Sequence, residues 1–356
     1  MKIIGFLLIS SIAAPANPIY TVADLGGLGG PSTGYAVNSW GTVAGWAQNS
    51  SGSEQAFVSA GKGLETLASP SSDSYAYGID NSGTTVGITY VNGIAHGTIW
   101  SATGATDLGA NSYATAINNS GEVVGGNGEA FAVVNGQLQD LGNPLGIEWS
   151  AAYGINEAGT IVGDGELANG SFRGIIWSPN GNMTLLGTLG GTSSQATGIN
   201  NDGEVVGFAS IASGYQHAFS MLDGLMMDLG TLGGSSSYAY GVNDSGEIVG
   251  YSWLADGAQH AFLYDDGTML DLNSLIPNNS GWDLLVAYGI NDSGQITGEG
   301  FYDGQLSAFL LTDPPSGPGQ IAPVPEPSEI VIAGTVFAVA TLRRRYILRC
   351  AKIAAS

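Results

Sequence analysis

The chain has 356 residues, 57 of them glycine, with 44% apolar and only 11% charged side chains. That apolar content supplies a sizeable core and excludes wholesale disorder, and glycine without a triplet period excludes collagen. Between residues 17 and 325 only Lys62 and Arg173 are basic, against 28 acidic residues, a surface that repels phosphate backbones and excludes nucleic acid as a partner.

Residues 1–16 read as a secretory signal peptide. Met1-Lys2 is a short positive start, Ile3 to Ile12 is apolar, and Ala14-Pro15-Ala16 offers a cleavage pattern through Ala14 and Ala16. A buried strand or helix is the competing reading of that run. The only cysteine, Cys350, lies in the C-terminal tail, so the exported body would hold no disulfide and no catalytic thiol.

Residues 17–313 are filled by one pattern, Asn-x-x-Gly-x-x-x-Gly. It starts at Asn38, Asp80, Asn118, Asn156, Asn200, Asn243 and Asn291, in steps of 38 to 48 residues. A period of that size marks a solenoid, an array or a propeller. The sixth unit shows four strands, Tyr238–Val242, Glu247–Tyr251, His260–Tyr264 and Met269–Leu272, separated by turn residues. Asn and Gly of the repeated turn are expected to take positive φ. An Asp-Leu-Gly motif closes the fourth strand at Asp107, Asp140 and Asp228, and in varied form at Asp271. The seventh unit lacks it, while an unpaired copy stands at Asp24-Leu25-Gly26. Strand Tyr20–Leu25 is therefore expected to complete the last unit. The predicted fold is all-β, a closed propeller of about seven four-stranded blades without exposed sheet edges. The signal peptide and a C-terminal anchor helix fall outside it.

These repeats resemble the bacterial extracellular HAF family through His217-Ala-Phe219 and His260-Ala-Phe262, with variants at Gln55-Ala-Phe57, Glu129-Ala-Phe131 and Ser307-Ala-Phe309. The resemblance brings no catalytic residues with it.

Residues 314–328 form a Pro/Gly linker ending in Pro325-Glu326-Pro327. Residues 329–356 carry an apolar stretch, Ile330 to Leu342, then Arg343-Arg344-Arg345 and a short tail. This order resembles the PEP-CTERM sorting signal of Gram-negative bacteria. The resemblance implies an exosortase as partner, membrane anchoring through residues 330–342 before processing, and association with exopolysaccharide or biofilm matrix. An ordinary C-terminal anchor is the alternative.

Catalytic constellations are sparse. His96, His217 and His260 share one unit position, filled elsewhere by Gln55, Glu129, Arg173 and Ser307. That pattern reads as a repeat-determined strand entry; a histidine-bearing binding rim is the other reading. The glycine-rich segments at 186–191 and 229–234 lack the lysine and helix of a phosphate loop and read as inter-blade turns. The turn acids Glu157, Asp202, Asp244 and Asp292 read as solvated, with calcium the one cofactor they could take. No catalytic, cofactor-binding or metal-ligating residue is assigned. The sequence thus points to an exported, non-enzymatic envelope or matrix protein that binds surface glycans, with Trp46, Trp253, Tyr215 and Tyr302 as candidate sugar-stacking rings. The alternative is an extracellular glycosidase or lyase working through paired rim carboxylates, although no pair is singled out.

Overall fold

The computed structural model describes residues 20–313, apart from 61–62, 70–72 and 144–145. The signal segment with Ala14 and Ala16, Pro325-Glu326-Pro327 and Arg343-Arg344-Arg345 lie outside the described residues. Seven four-stranded antiparallel sheets follow one another along the chain. They are blades 1 to 7: residues 29–66, 74–110, 113–140, 147–185, 190–228, 233–271, and 282–312 joined by strand Thr21–Gly26. That N-terminal strand pairs with Gln305–Thr312 in the register Thr21↔Thr312 to Gly26↔Ala308. It supplies the fourth strand that the seventh unit lacks, and the ring closes.

The repeated turn joins the first strand of each blade to the second. Its first glycine takes φ of 72° to 87° in all seven blades and donates its N–H to the carbonyl of the residue three before it. A side chain would strain that conformation. The asparagine corrects the sequence expectation, because none of the seven first positions has positive φ. Its Oδ1 instead accepts backbone N–H groups two and four residues on, as Asn38 does from Trp40 and Thr42. The second glycine has a steric cause. A Cβ on Gly163, Gly207 or Gly250 would overlap the carbonyl oxygen of Ala151, Gln195 or Tyr238 on the bulged first strand.

Seven buried apolar clusters each bridge two neighbouring blades. The two apolar residues before the second glycine divide between them, because successive strand residues point to opposite faces. Val123 packs with Val86 of blade 2 while Val124 packs with Ile161 of blade 4. Val205 and Val206 likewise face blades 4 and 6. Phe57 meets Ala308 across the closure between blades 1 and 7. The Ala-Phe dipeptides are core: Ala56, Ala218, Ala261 and Ala308 and their phenylalanines are fully buried. Each such phenylalanine stabilises by about 1.5–3 kcal/mol through burial.

A second clasp joins the blades. The N–H of residue Ala56, Gly97, Ala130, Gly174, Ala218 or Ala308 donates to a buried serine of the next blade at 2.8–3.1 Å. These serines are Ser74, Ser112, Ser150, Ser194, Ser237 and Ser32, each six residues before the first position of a repeat turn. In blade 7 that place lacks serine, and Asn273 bonds both backbone groups of Leu284 instead.

Candidate functional site

The seven first-position residues meet around one mouth of the central channel. Asn38, Asn118, Asn156, Asn200, Asn243 and Asn291 each donate Nδ2–H to the carbonyl of the equivalent residue in the next blade, at 2.8–3.1 Å. Asp80 has no such donor and leaves one gap. The next residue of each turn builds a second circle. The N–H groups of Ser39, Asn81, Asn119, Glu157, Asn201 and Asp244 donate to Asn81, Asn119, Glu157, Asn201, Asp244 and Asp292. The turn acids Glu157, Asp244 and Asp292 are therefore spent on joining blades. Asp202 lies one residue further along its turn, outside both circles. Below the polar mouth, Val37, Ile79, Ile117, Ile155, Ile199, Val242 and Ile290 line the channel.

Each histidine is paired within its own blade, and His260 Nε2 also lies 3.7 Å from Asp283 of blade 7. Nδ1 of His96, His217 and His260 lies 2.8–2.9 Å from Asp107, Asp228 and Asp271 of the Asp-Leu motif on the adjacent strand. The same aspartates accept the N–H two residues on, from Gly109, Gly230 and Asn273. The Gly109 N–H, and then His96, hold the Asp107 carboxyl below the usual carboxylate range. The three imidazoles thus sit in separate blades as cross-strand partners. Among the described residues no group of three or more His, Cys, Asp or Glu is placed to hold a metal ion. The expected sugar-stacking rings are scattered too. Trp46 packs 5.8 Å from Tyr75, Tyr302 stacks on Trp282 at 5.0 Å, Tyr215 is exposed, and Trp253 lines a depression beside Gly233–Ser235.

One pocket departs from the repeat. It lies between blades 4 and 5, encloses about 320 Å³, and is walled by Trp149, Tyr153, Phe172 and Phe208 with Ser193, Ser194, Gln195 and Gln216. Asp164 lines it from the second strand of blade 4, opposite Ala151 and Gly174. The residue is 3% exposed, and its Oδ1 has no hydrogen-bond partner. Burial pushes its carboxyl up to about 7, against the opposing effect of a hydrogen bond from the Tyr153 hydroxyl. Tyr153 is itself raised by burial and by that carboxylate.

The repeat explains why the pocket sits here. Tyrosine stands three residues before the first position in blades 1, 2, 4, 6 and 7, and threonine in blades 3 and 5. Tyr77, Tyr35, Tyr288 and Tyr240 form a belt with successive centroids 5.0–5.3 Å apart. Thr115 and Thr197 break that belt on both sides of Tyr153, and each hydroxyl donates to a carbonyl of the following blade at 2.8 Å. Tyr153 is left to face Asp164.

No protein-family model and no curated protein matches the chain. Solved structures resemble it distantly. A gluconolactonase from Xanthomonas campestris is 12% identical over 85% of this chain and 93% of that one, with a TM-score of 0.45. A putative TolB from Agrobacterium tumefaciens is 14% identical over 80% and 91%, with a TM-score of 0.41. AofleA from Arthrobotrys oligospora is 10% identical over 71% and 88%, with a TM-score of 0.38. Likenesses this distant carry nothing about ligand or chemistry.

What the pocket can do follows from its own groups. Four aromatic rings offer flat apolar faces, and Gln216 Oε1, like Asp164 Oδ1, is a buried acceptor without a partner. Buried acceptors left unfilled are costly unless something donates to them. Such a site suits a small ligand with a flat face and several donors. Its signal in the sequence is a broken column: the residue after the second glycine is Trp46, Ile88, Gly126, Asp164, Phe208, Tyr251 or Glu299.

Proposed function

We propose that this chain is an exported, non-enzymatic propeller of the bacterial envelope or extracellular matrix that binds glycans in the pocket between blades 4 and 5. The observation that carries the reading is the aromatic-walled cavity with two unpartnered buried acceptors, Asp164 Oδ1 and Gln216 Oε1. Sugar rings present apolar faces to aromatic side chains and hydroxyl donors at their edges. Export through the signal peptide of residues 1–16 and sorting by an exosortase at Pro325-Glu326-Pro327 belong to the same proposal, and N-terminal sequencing of exported protein should begin at Asn17. Co-sedimentation with extracted matrix polysaccharide tests the binding. Retention that Trp149→Ala and Phe172→Ala abolish is the expected result, and no retention overturns it.

One observation favours the second reading, an extracellular glycosidase or lyase. A buried carboxyl raised to about 7 is the kind of group that serves as a general acid. Glycoside hydrolysis usually takes two carboxyls, roughly 5–9.5 Å apart, and Asp164 is the single acid among the described lining residues. That supports binding over hydrolysis. Release of reducing ends from matrix polysaccharide, lost in Asp164→Asn, would reverse the preference.

A further inference from the structure

Two blades carry an acid immediately after the second repeat glycine, and their fates differ. Glu299 of blade 7 accepts from the Thr33 hydroxyl at 2.6 Å and the Tyr288 hydroxyl at 3.3 Å. Asp164 is more deeply buried and has Tyr153 alone, with Oδ1 unpartnered. A buried carboxylate calls for a cation or a set of donors. The described lining residues include no lysine or arginine. Arg173, on the neighbouring strand, turns its guanidinium to the carbonyls of Phe172 and Thr192. Once Asp164 is ionised, the described lining supplies no cation to it, and a ligand's positive charge would fill that place.

We infer that the pocket between blades 4 and 5 takes a primary ammonium group, carried by a hexosamine residue of a matrix glycan whose amine is free. This rests on the glycan reading above and narrows it. A primary ammonium has three N–H donors, enough for Asp164 Oδ1 and Gln216 Oε1 together. A quaternary ammonium has none and would leave both acceptors unfilled. The π faces of Trp149, Tyr153, Phe172 and Phe208 attract the same charge. Trp149 and Phe172 meet edge to face, with centroids 6.4 Å apart, and Phe172 is 39% exposed, a ring available to lie against the sugar. A cavity of about 320 Å³ is at the small end of ligand sites, fit for one residue of a polymer rather than several. The acidic body, with 28 carboxylates against two basic residues between 17 and 325, draws a polycation toward it.

The test is titration calorimetry of the full chain at pH 7.5 with tetra-glucosamine, tetra-N-acetylglucosamine and methylammonium chloride. Tetra-glucosamine should bind, and its N-acetylated counterpart should bind at least roughly tenfold more weakly, since acetylation removes the charge and two donors. Asp164→Asn should weaken the tetra-glucosamine complex by roughly ten- to a hundredfold, the range for a hydrogen bond to a charged group. Thermal unfolding should show that variant to be folded, and Phe172→Ser at the lip should weaken binding as well. Equal binding of the two tetramers, or undiminished binding by Asp164→Asn, overturns the ammonium assignment and leaves glycan recognition standing. Asp164-dependent binding of methylammonium with neither tetramer bound keeps the ammonium site and removes the glycan. Binding of none of the three overturns both.

Discussion

Asp164 and Asp80 both break a column of the repeat, and each costs stability for a different reason. Asp164 ionises near pH 4 in the unfolded chain, while burial in the folded protein pushes it up to about 7. The folded state holds the proton longer, so this group favours folding below pH 4. The advantage is lost as pH rises from about 4 to about 7 and stays lost above. Asp164→Asn should therefore gain stability over the parent progressively across that window, with a constant lead beyond it. Urea unfolding of both proteins at pH 4, 5.5, 7 and 8 checks this; a lead that does not change with pH would contradict the raised carboxyl. Asp80 leaves the Asn118 carbonyl without the amide donor that the six other first positions supply. Asp80→Asn should close that circle and add about 0.5–1.5 kcal/mol, the net worth of one hydrogen bond. Asn200→Asp should lose at least as much, because it sets a carboxylate against the Asn243 carbonyl. Denaturation midpoints of the two variants should move in opposite directions.

At the scale of the element, the blade is held to its neighbour by one amide and one serine, and these were unequally legible in the sequence. The spacing of Asn, Gly and Gly marked the hairpin and the number of units, because turn geometry and steric overlap act within a few residues. The partner of the Asn side chain lies a whole unit away, 38 to 48 residues on, so its bridging role was hidden and positive φ was the wrong explanation. The serine six residues before the first turn position recurs in six units, yet its acceptor role appears only once blades are adjacent. Ser150→Ala should expose that role. It leaves the buried Ala130 N–H without its acceptor and should cost about 1–3 kcal/mol, against near-zero effect for the exposed Ser120→Ala. Equal unfolding midpoints for the two would show that the clasp contributes nothing. The histidines were legible as strand entries, while their aspartate partners, 11 residues on in each case, became visible only with the strand register.

At the scale of the molecule, ring closure was readable because an orphaned Asp-Leu-Gly stood at the N-terminus while the last unit lacked one. Deleting residues 20–27 should open the sheet edge along Gln305–Thr312 and uncover Leu311 and Phe309, both fully buried in the parent. Light scattering should then show more association than the parent does. The pocket between blades 4 and 5 was not readable. Among 28 acids nothing marks Asp164 until the seven blades are superposed and its column proves otherwise apolar in all but Glu299. The proposal is that a structural ring carries its ligand site at that pocket. A crystal structure of the protein grown with an oligosaccharide from its own matrix tests this most directly. The sugar should lie against Trp149 and Phe172 with a donor on Asp164 Oδ1; a sugar seated instead at the asparagine mouth of the channel, or on another blade pair, would contradict it.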